Sequence, residues 1–145
     1  MELVIKHFND LTLKELHEIY KVRTAVFVVE QNCPYQEVDD ADLVSYHLYL
    51  KDDQGIQAYI RVIPKGVTMD EVSIGRVISL KRRQGLASKL LKEGIQLAKD
   101  KFNATCIEIE AQVYARTLYE KVGFKQVSEP FLEDGIEHIK MRLDL

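Results

Sequence analysis

Apolar and polar positions along this chain change rhythm repeatedly, and each change marks an element. Leu3 to Lys6 predicts an opening strand. Thr12 and Glu15 have capping-box spacing, and Leu13, Leu16, Ile19, Tyr20 and Val26 fall near helical intervals, predicting a helix to about Val29. A polar loop, Glu30 to Leu43, follows. His47–Leu50 and Gln57–Val62 read as a hairpin around Asp52-Asp53-Gln54-Gly55, ended by Pro64 and Gly66. Val72 to Leu80 is β-like. From about Gln84 to Asp100, Leu86, Leu90, Leu91, Ile95, Leu97 and Ala98 supply the buried stripe of an amphipathic helix. Thr105 to Glu110 alternates again, a short helix from about Ala115 to Val122 stops at Gly123, and Phe124–Val127 and Ile136–Leu143 close the pattern as strands. The order β-α-β-β-β-α-β-α-β-β combines hairpins, which need antiparallel pairing, with helical crossovers, which imply parallel pairing. The expected architecture is α/β, a mixed sheet flanked by helices.

Composition narrows the class. The 145 residues contain no linker, repeat or low-complexity segment, so residues 1–145 read as a single domain. A net charge of −3 offers no basic surplus for nucleic acid. Met1 to Lys6 lacks the apolar core of a secretory leader, and no apolar run approaches membrane length; the cytoplasm is the expected compartment, without a membrane partner. Cys106 lies in a β-like run and reads as a small core residue, whereas Cys33 lies in a polar loop with no base near it in sequence.

The chemistry concentrates at Arg82-Arg83-Gln84-Gly85-Leu86-Ala87, between a strand and a long helix. The first N–H groups of a helix have no internal partner and carry partial positive charge. Gly85 and Ala87 have almost no side chain, so a phosphate can approach the backbone, and Arg82 and Arg83 add charge. The same turn also reads as an ordinary basic helix start with small packing residues. Neither G-x-G-x-x-G nor G-x-x-x-x-G-K-[ST] is present. The Arg-x-x-Gly-x-Ala spacing resembles the acetyl-CoA pyrophosphate loop of the GNAT acyltransferases.

A second motif strengthens that likeness. Ala111 to Phe124, with Tyr119 in the short helix and then Gly123-Phe124, resembles the A-x-x-x-Y-x-x-x-G-F segment of the same family. Arg23-Thr24-Ala25-Val26-Phe27-Val28-Val29-Glu30-Gln31 is similar to the opening of its ElaA-like branch, as are Tyr35-x-Glu37-x-Asp39-x-x-Asp42, His47-Leu48 and Phe131-Leu132-Glu133-Asp134-Gly135-Ile136-x-His138. The resemblance implies a GNAT fold with a mixed, mostly antiparallel sheet. It also implies that acetyl-CoA is bound by Val77, Ile78, Ser79, Arg82, Arg83, Gly85, Leu86, Ala87, Gln112 and Tyr119. Two departures stand out: the segment Ile78-Ser79-Leu80-Lys81 before Arg82 is shorter than usual, and Ala87 replaces the commoner Gly.

The reaction implied is N-acetyl transfer from acetyl-CoA to a primary amine, by direct attack in a ternary complex, since neither cysteine occupies a recognised position. Tyr119 matches the family's general acid; a phenol with a pKa of about 10 can protonate a departing thiolate. Alternatively its hydroxyl only hydrogen-bonds the cofactor sulfur or the core. Glu110 is the candidate base, with Glu37, His47, Glu133 and His138 as substrate-side candidates. The acidic run Glu37 to Asp42 reads as a solvated turn, an amine-attracting mouth, or, least consistently with its spacing, a divalent metal site; no metal is expected. The acceptor would be a small-molecule or peptide amine, and a homodimer would use exposed sheet or helix surface. The rival reading is a non-catalytic acyl-CoA-binding or regulatory module, and another acyl donor such as succinyl-CoA also fits the turn.

Overall fold

Among the described residues every strand pair is antiparallel, and the single parallel contact, an isolated bridge, makes the site. The computed structural model describes residues 1–81 and 84–145. Strands β1 (Glu2–His7), β2 (Tyr46–Asp52), β3 (Gly55–Ile63) and β4 (Ser73–Ser79) form one antiparallel sheet in sequence order. Strand β5 (Cys106–Gln112) pairs with β8 (Ile136–Asp144), which also holds β6 (Lys125–Gln126) and β7 (Phe131–Glu133). The two sheets meet through a parallel bridge between Val72 and Ile107, where the Glu108 N–H donates to the Val72 carbonyl at 3.0 Å. No other pairing joins β4 to β5 among the described residues, so the strands stand apart toward their C-terminal ends.

Helix α2 (Leu86–Phe102) covers one face of the first sheet. Its buried stripe is Ala87, Leu90, Leu91, Gly94, Leu97 and Ala98, packed on Leu48, Leu50, Ala58, Ile60, Val62 and Ile74. The stripe is turned slightly from expectation: Leu86 and Ile95 sit at its margin and Gly94 at its centre. Helix α3 (Arg116–Lys121) shares this core with Ile107, Ile109, Phe124, Ile139 and Met141. Helix α1 (Leu13–Arg23), started by the Thr12–Glu15 capping box, covers the opposite face with Val4, Ile19, Tyr49, Ile56, Tyr59 and Ile78. No helix among the described residues is long and apolar enough to cross a membrane.

The structure also differs from the sequence reading at the end of the first helix and at β7. The first helix does not run as an α-helix to Val29: from Thr24 to Glu30 it widens into π-helical turns. Three β-branched valines crowd that segment, which lowers its α-helical preference. The hairpin strand β7 was not expected; three residues give too short a pattern, but Asp134 and Gly135, both at positive φ (51° and 76°), make its tight turn.

Candidate active site

The splay of β4 from β5 opens a polar cleft of about 390 Å³. Its walls come from the π-helical segment and following loop (Phe27, Gln31, Cys33, Tyr35), from β3 and β4 (Arg61, Gly75, Arg76, Val77), from β5 (Glu110, Gln112), and from β7–β8 (Glu133, His138). Strand alternation explains the polarity. Ile107, Ile109 and Ala111 point to the core, so Glu108, Glu110 and Gln112 take the other face of β5.

Glu110 opens onto the cleft, and Glu133 of the β7–β8 hairpin lines the same cleft. Desolvation, then the nearby charge of Glu133, raises the Glu110 carboxyl above the ordinary range, against the pull of Lys140 and His138. His138 Nε2 lies 3.8 Å from Glu133 Oε2. Three of the sequence candidates, Glu110, Glu133 and His138, are thus brought together.

Tyr119 reaches the same cleft from behind. It belongs to the α2–α3 core and is 8% exposed, edge-on to Phe124 with ring centroids 6.0 Å apart, yet it lines the cleft through the gap between β4 and β5. Burial, then Tyr114, pushes its phenol upward, so it stays protonated at neutral pH. Its hydroxyl has no hydrogen-bond partner among the described residues.

On the cofactor side, β4 is an edge strand, unpaired beyond Val72 among the described residues, and open to an added extended chain. Opposite β3 its register slips: Tyr59 faces Ile78 and Arg61 faces Gly75, so Arg76 and Val77 together oppose Ile60 in a bulge. Arg76 has φ +52° there. Val77 lines the cleft; Ile78 buries its side chain under α1, and the Ser79 hydroxyl donates to the Lys81 carbonyl. Gly85 precedes α2 at φ +68°, with nothing within 4 Å of a Cβ built on it. No side chain caps α2, and its first backbone bond runs from Lys89 N–H to the Gly85 carbonyl. Ala87 turns its methyl into the core, leaving only its N–H for an anion. Arg82 and Arg83 lie outside the described residues. Gln112 does not cap the following turn; it forms a reciprocal amide pair with Gln31, both bonds 3.2 Å. These features suit an acyl-CoA: an open strand edge for the amides of pantetheine, and an uncapped helix start for its phosphates.

Two substrate-side candidates are elsewhere. His47 is fully buried: its Nε2 donates to the Asp42 carbonyl at 3.0 Å, since a carbonyl only accepts, and its Nδ1 accepts from the Tyr59 hydroxyl at 2.6 Å. Burial pushes that imidazole below its ordinary value, so it stays neutral and does not face the cleft. Glu37 is 4% exposed and held by Arg23, with Arg76 Nε 3.7 Å away. Glu37 belongs to an ion network, bordered by His47, that sequence reasoning missed. Arg23 also binds Asp42 (2.7 Å), Arg61 binds Asp39 (2.6 Å) and Asp42 (2.9 Å), and Arg76 donates to the Glu37 carbonyl (2.9 Å). The acidic run is therefore neither a solvated turn nor an open mouth at Glu37 and Asp42. Its partners lie too far off in sequence for spacing to signal them. Among the described residues no three His, Cys, Asp or Glu side chains are placed to hold a metal. Cys33 is buried, its thiol 3.6 Å from the Asp134 carbonyl, and burial pushes the Cys106 thiol up.

Comparison with known proteins agrees with this construction. Residues 13–145 match the family model described as an acetyltransferase (GNAT) domain. A UPF0039 protein of Schizosaccharomyces pombe is 44% identical over 149 aligned positions, covering 100% of this chain and 98% of its own. Escherichia coli ElaA is 33% identical, covering 93% and 91%. The crystal structure of an acyl-CoA N-acyltransferase from Pseudomonas aeruginosa superposes with a TM-score of 0.90 at 41% identity, over 99% of each chain. That of Escherichia coli ElaA also gives 0.90, at 31% identity and the same coverage. The chain belongs to the GNAT acetyltransferase family, in the branch that includes ElaA and the UPF0039 proteins.

Proposed function

We propose that this protein is an acetyl-CoA-dependent N-acetyltransferase in which a primary amine, on a small molecule or a peptide, attacks the thioester directly in a ternary complex. The observation that carries this reading is that Glu110 and Tyr119 reach one cleft from opposite sides of the β4–β5 gap. Acetyl-CoA, when bound, supplies an activated acyl carbon and a thiolate leaving group. The chain supplies the rest. The free edge of β4 and the start of α2 would hold the donor, and backbone N–H groups at the Arg76–Val77 bulge would polarise its thioester carbonyl. Glu110 accepts a proton from the amine. Tyr119 gives its proton to sulfur as the C–S bond breaks; its raised pKa makes transfer before bond cleavage unfavourable.

Thiol release with acetyl-CoA across a panel of amines and peptides, run on the parent and on Tyr119→Phe, tests the proposal. The variant should lose about 10²–10⁴-fold in kcat while binding acetyl-CoA as before. Unchanged turnover would remove Tyr119 from the reaction, and loss of stability alone would make it a core residue. Tight acetyl-CoA binding without turnover would favour a binding module.

A further inference from the structure

Hydrogen bonds on the first-sheet wall of the cleft are unequally shared, and the donors left over bear on what the acceptor carries beside its amine. Among the described residues two buried side-chain polar atoms lack a hydrogen-bond partner, Arg61 Nε and Arg76 Nε, and both residues line the cleft. Arg61 on β3 faces Gly75 on β4, and the bulge sets Arg76 next to it. Both terminal nitrogens of Arg61 are engaged, by Asp39 at 2.6 and 3.1 Å and by Asp42 at 2.9 Å. Arg76 engages only Nη2, with the Glu37 carbonyl at 2.9 Å and Asp39 at 3.4 Å. Its Nε is 3.7 Å from Glu37 Oε1, beyond hydrogen-bond reach, and its Nη1 makes no hydrogen bond among the described residues. The three carboxylates are satisfied without it. Glu37 is held by two nitrogens of Arg23, Asp42 by Arg23 and Arg61, and Asp39 by the fork of Arg61. Arg76 is therefore the guanidinium with unmet donors, and an unmet N–H is costly until an oxygen reaches it. Its side chain is 20% exposed, with the Tyr35 ring centroid 5.6 Å from Cζ; that contact occupies a face and leaves the in-plane N–H groups unpaired. The bulge at φ +52° is the kind of backbone that re-aims a side chain at a functional site. The opposite wall, from β5 and β7–β8, carries Glu110, Glu133, Asp134 and His138. Lys140, in register with Glu110 on β8, is exposed and does not line the cleft. One wall thus offers unpaired N–H donors and the other carboxylates.

Building on the N-acetyltransferase reading above, we propose that the acceptor is an α-amino carbonyl compound, a free amino acid or a peptide N-terminus, whose carboxylate or amide oxygen accepts hydrogen bonds from Arg76 while its amine faces Glu110. The two ends of such a ligand match the two walls. Arg76 adjoins Val77, on the backbone that would polarise the thioester, so the oxygen and the reacting nitrogen must be neighbours in the substrate. That requirement selects the class. Simple alkylamines, polyamines and lysine side chains place methylenes where the oxygen belongs and leave the Arg76 donors unmet. A free amino acid offers a carboxylate and a peptide N-terminus an amide carbonyl; both present the same acceptor atom beside the amine.

The test measures turnover of acetyl-CoA with alanine, alanyl-alaninamide and ethylamine, each rate referred to the concentration of neutral amine, on the parent, Arg76→Lys and Arg76→Gln. In the parent at least one carbonyl-bearing acceptor should exceed ethylamine by about 10–100-fold in kcat/KM, the worth of a hydrogen bond to a charged group. Alanine ahead of the peptide identifies a free amino acid as the acceptor, and the reverse order a peptide N-terminus. In both variants the advantage over ethylamine should shrink about ten-fold or more, chiefly through KM; Lys keeps the charge but loses the planar fork. Turnover in which ethylamine equals both carbonyl compounds, or an advantage that survives in both variants, overturns the proposal and leaves an acetyltransferase standing. A second readout needs neither variant nor turnover. With CoA in place of acetyl-CoA, alanine or alanyl-alaninamide should move the Arg76 ¹⁵Nε–¹H resonance of the parent downfield, and ethylamine should leave it in place. A resonance unmoved by both carbonyl compounds overturns the oxygen site. A moved resonance with no turnover of any acceptor supports the oxygen site and defeats the acetyltransferase reading.

Discussion

Replacing Arg23 with Met should unfold the protein more readily than any change on its surface. Arg23 is wholly buried; its guanidinium spans Glu37 and Asp42, donates to the Glu37 carbonyl at 3.2 Å, and lies between Tyr20 and Tyr59 at 5.3 and 5.8 Å. Breaking a buried ion pair from one side costs ~3–5 kcal/mol, because a charge is left in the interior. Here the stranded carboxylates keep some company: Asp42 retains Arg61 at 2.9 Å and Glu37 retains Arg76 at 3.7 Å. The cluster nevertheless passes from three guanidiniums facing three carboxylates to two facing three. The lower end of the range applies, ~3 kcal/mol, with Met restoring part of the volume. At ~2–4 °C per kcal/mol for a chain of this size, the midpoint should fall by roughly 6–12 °C. Urea unfolding followed by far-UV circular dichroism measures the free-energy loss, and thermal unfolding the midpoint, with an unchanged m-value showing that the native state is intact. Adding Asp42→Asn should recover part of the loss. A cost below ~1 kcal/mol, the value of an exposed pair, would refute the claim that this network is sealed from water.

Two further predictions follow from packing and protonation. Gly94→Ala should destabilise by ~0–2 kcal/mol: its Cβ would meet Ile60 Cδ1 at 2.8 Å and Val62 Cγ2 at 3.2 Å, an overpacking cost only partly offset by helix propensity. Thermal unfolding that shows a gain of ~1 kcal/mol would disprove the close helix–sheet approach. Stability should fall in two stages as pH drops. His47, depressed by burial, favours the fold above its ordinary pKa of about 6.5, and that contribution fades below it. Glu15 is held down to about 2; burial acts against this but is outweighed by the Thr12 N–H, Lys6 and Tyr49, so its contribution fades between about pH 4.5 and 2. Denaturant midpoints across pH check both, and His47→Gln should erase the upper stage alone.

The fold was legible wherever contacts are local or periodic. The capping box at Thr12 and the hairpin at Asp52–Gly55 carry their structure in neighbouring residues and appear as expected, and the stripe of α2 appears turned only slightly. The candidate site was legible in half. Glu110, Glu133, His138, Gln112, Val77 and Tyr119 line the cleft, because their motifs sit on strand ends and helix starts that topology gathers. Glu37 and His47 looked like cleft chemistry because a polar residue reads the same whether it faces water or a buried partner. Arg23 lies 14 positions from Glu37, and Tyr59 lies 12 positions from His47. The His47 contact follows from the β2–β3 register and the Glu37 contact from the packing of a loop on α1, and neither shows in residue spacing.

The buried network and the cleft are one construction. Had β4 and β5 paired along their length, Tyr119 would be sealed behind the sheet and Glu110 would face it across continuous backbone. The bulge at Arg76–Val77 interrupts β4, and it holds a non-glycine residue at φ +52°, a conformation that costs ~1 kcal/mol or more. That strain persists because the same residue's guanidinium donates to the Glu37 carbonyl at 2.9 Å and reaches Asp39 at 3.4 Å. Glu37 and Asp39 in turn are fixed by Arg23 and Arg61. The ion network thus holds the bulged backbone that lines the cleft, and the loop bearing Cys33 and Tyr35 is positioned over the cleft by the same contacts.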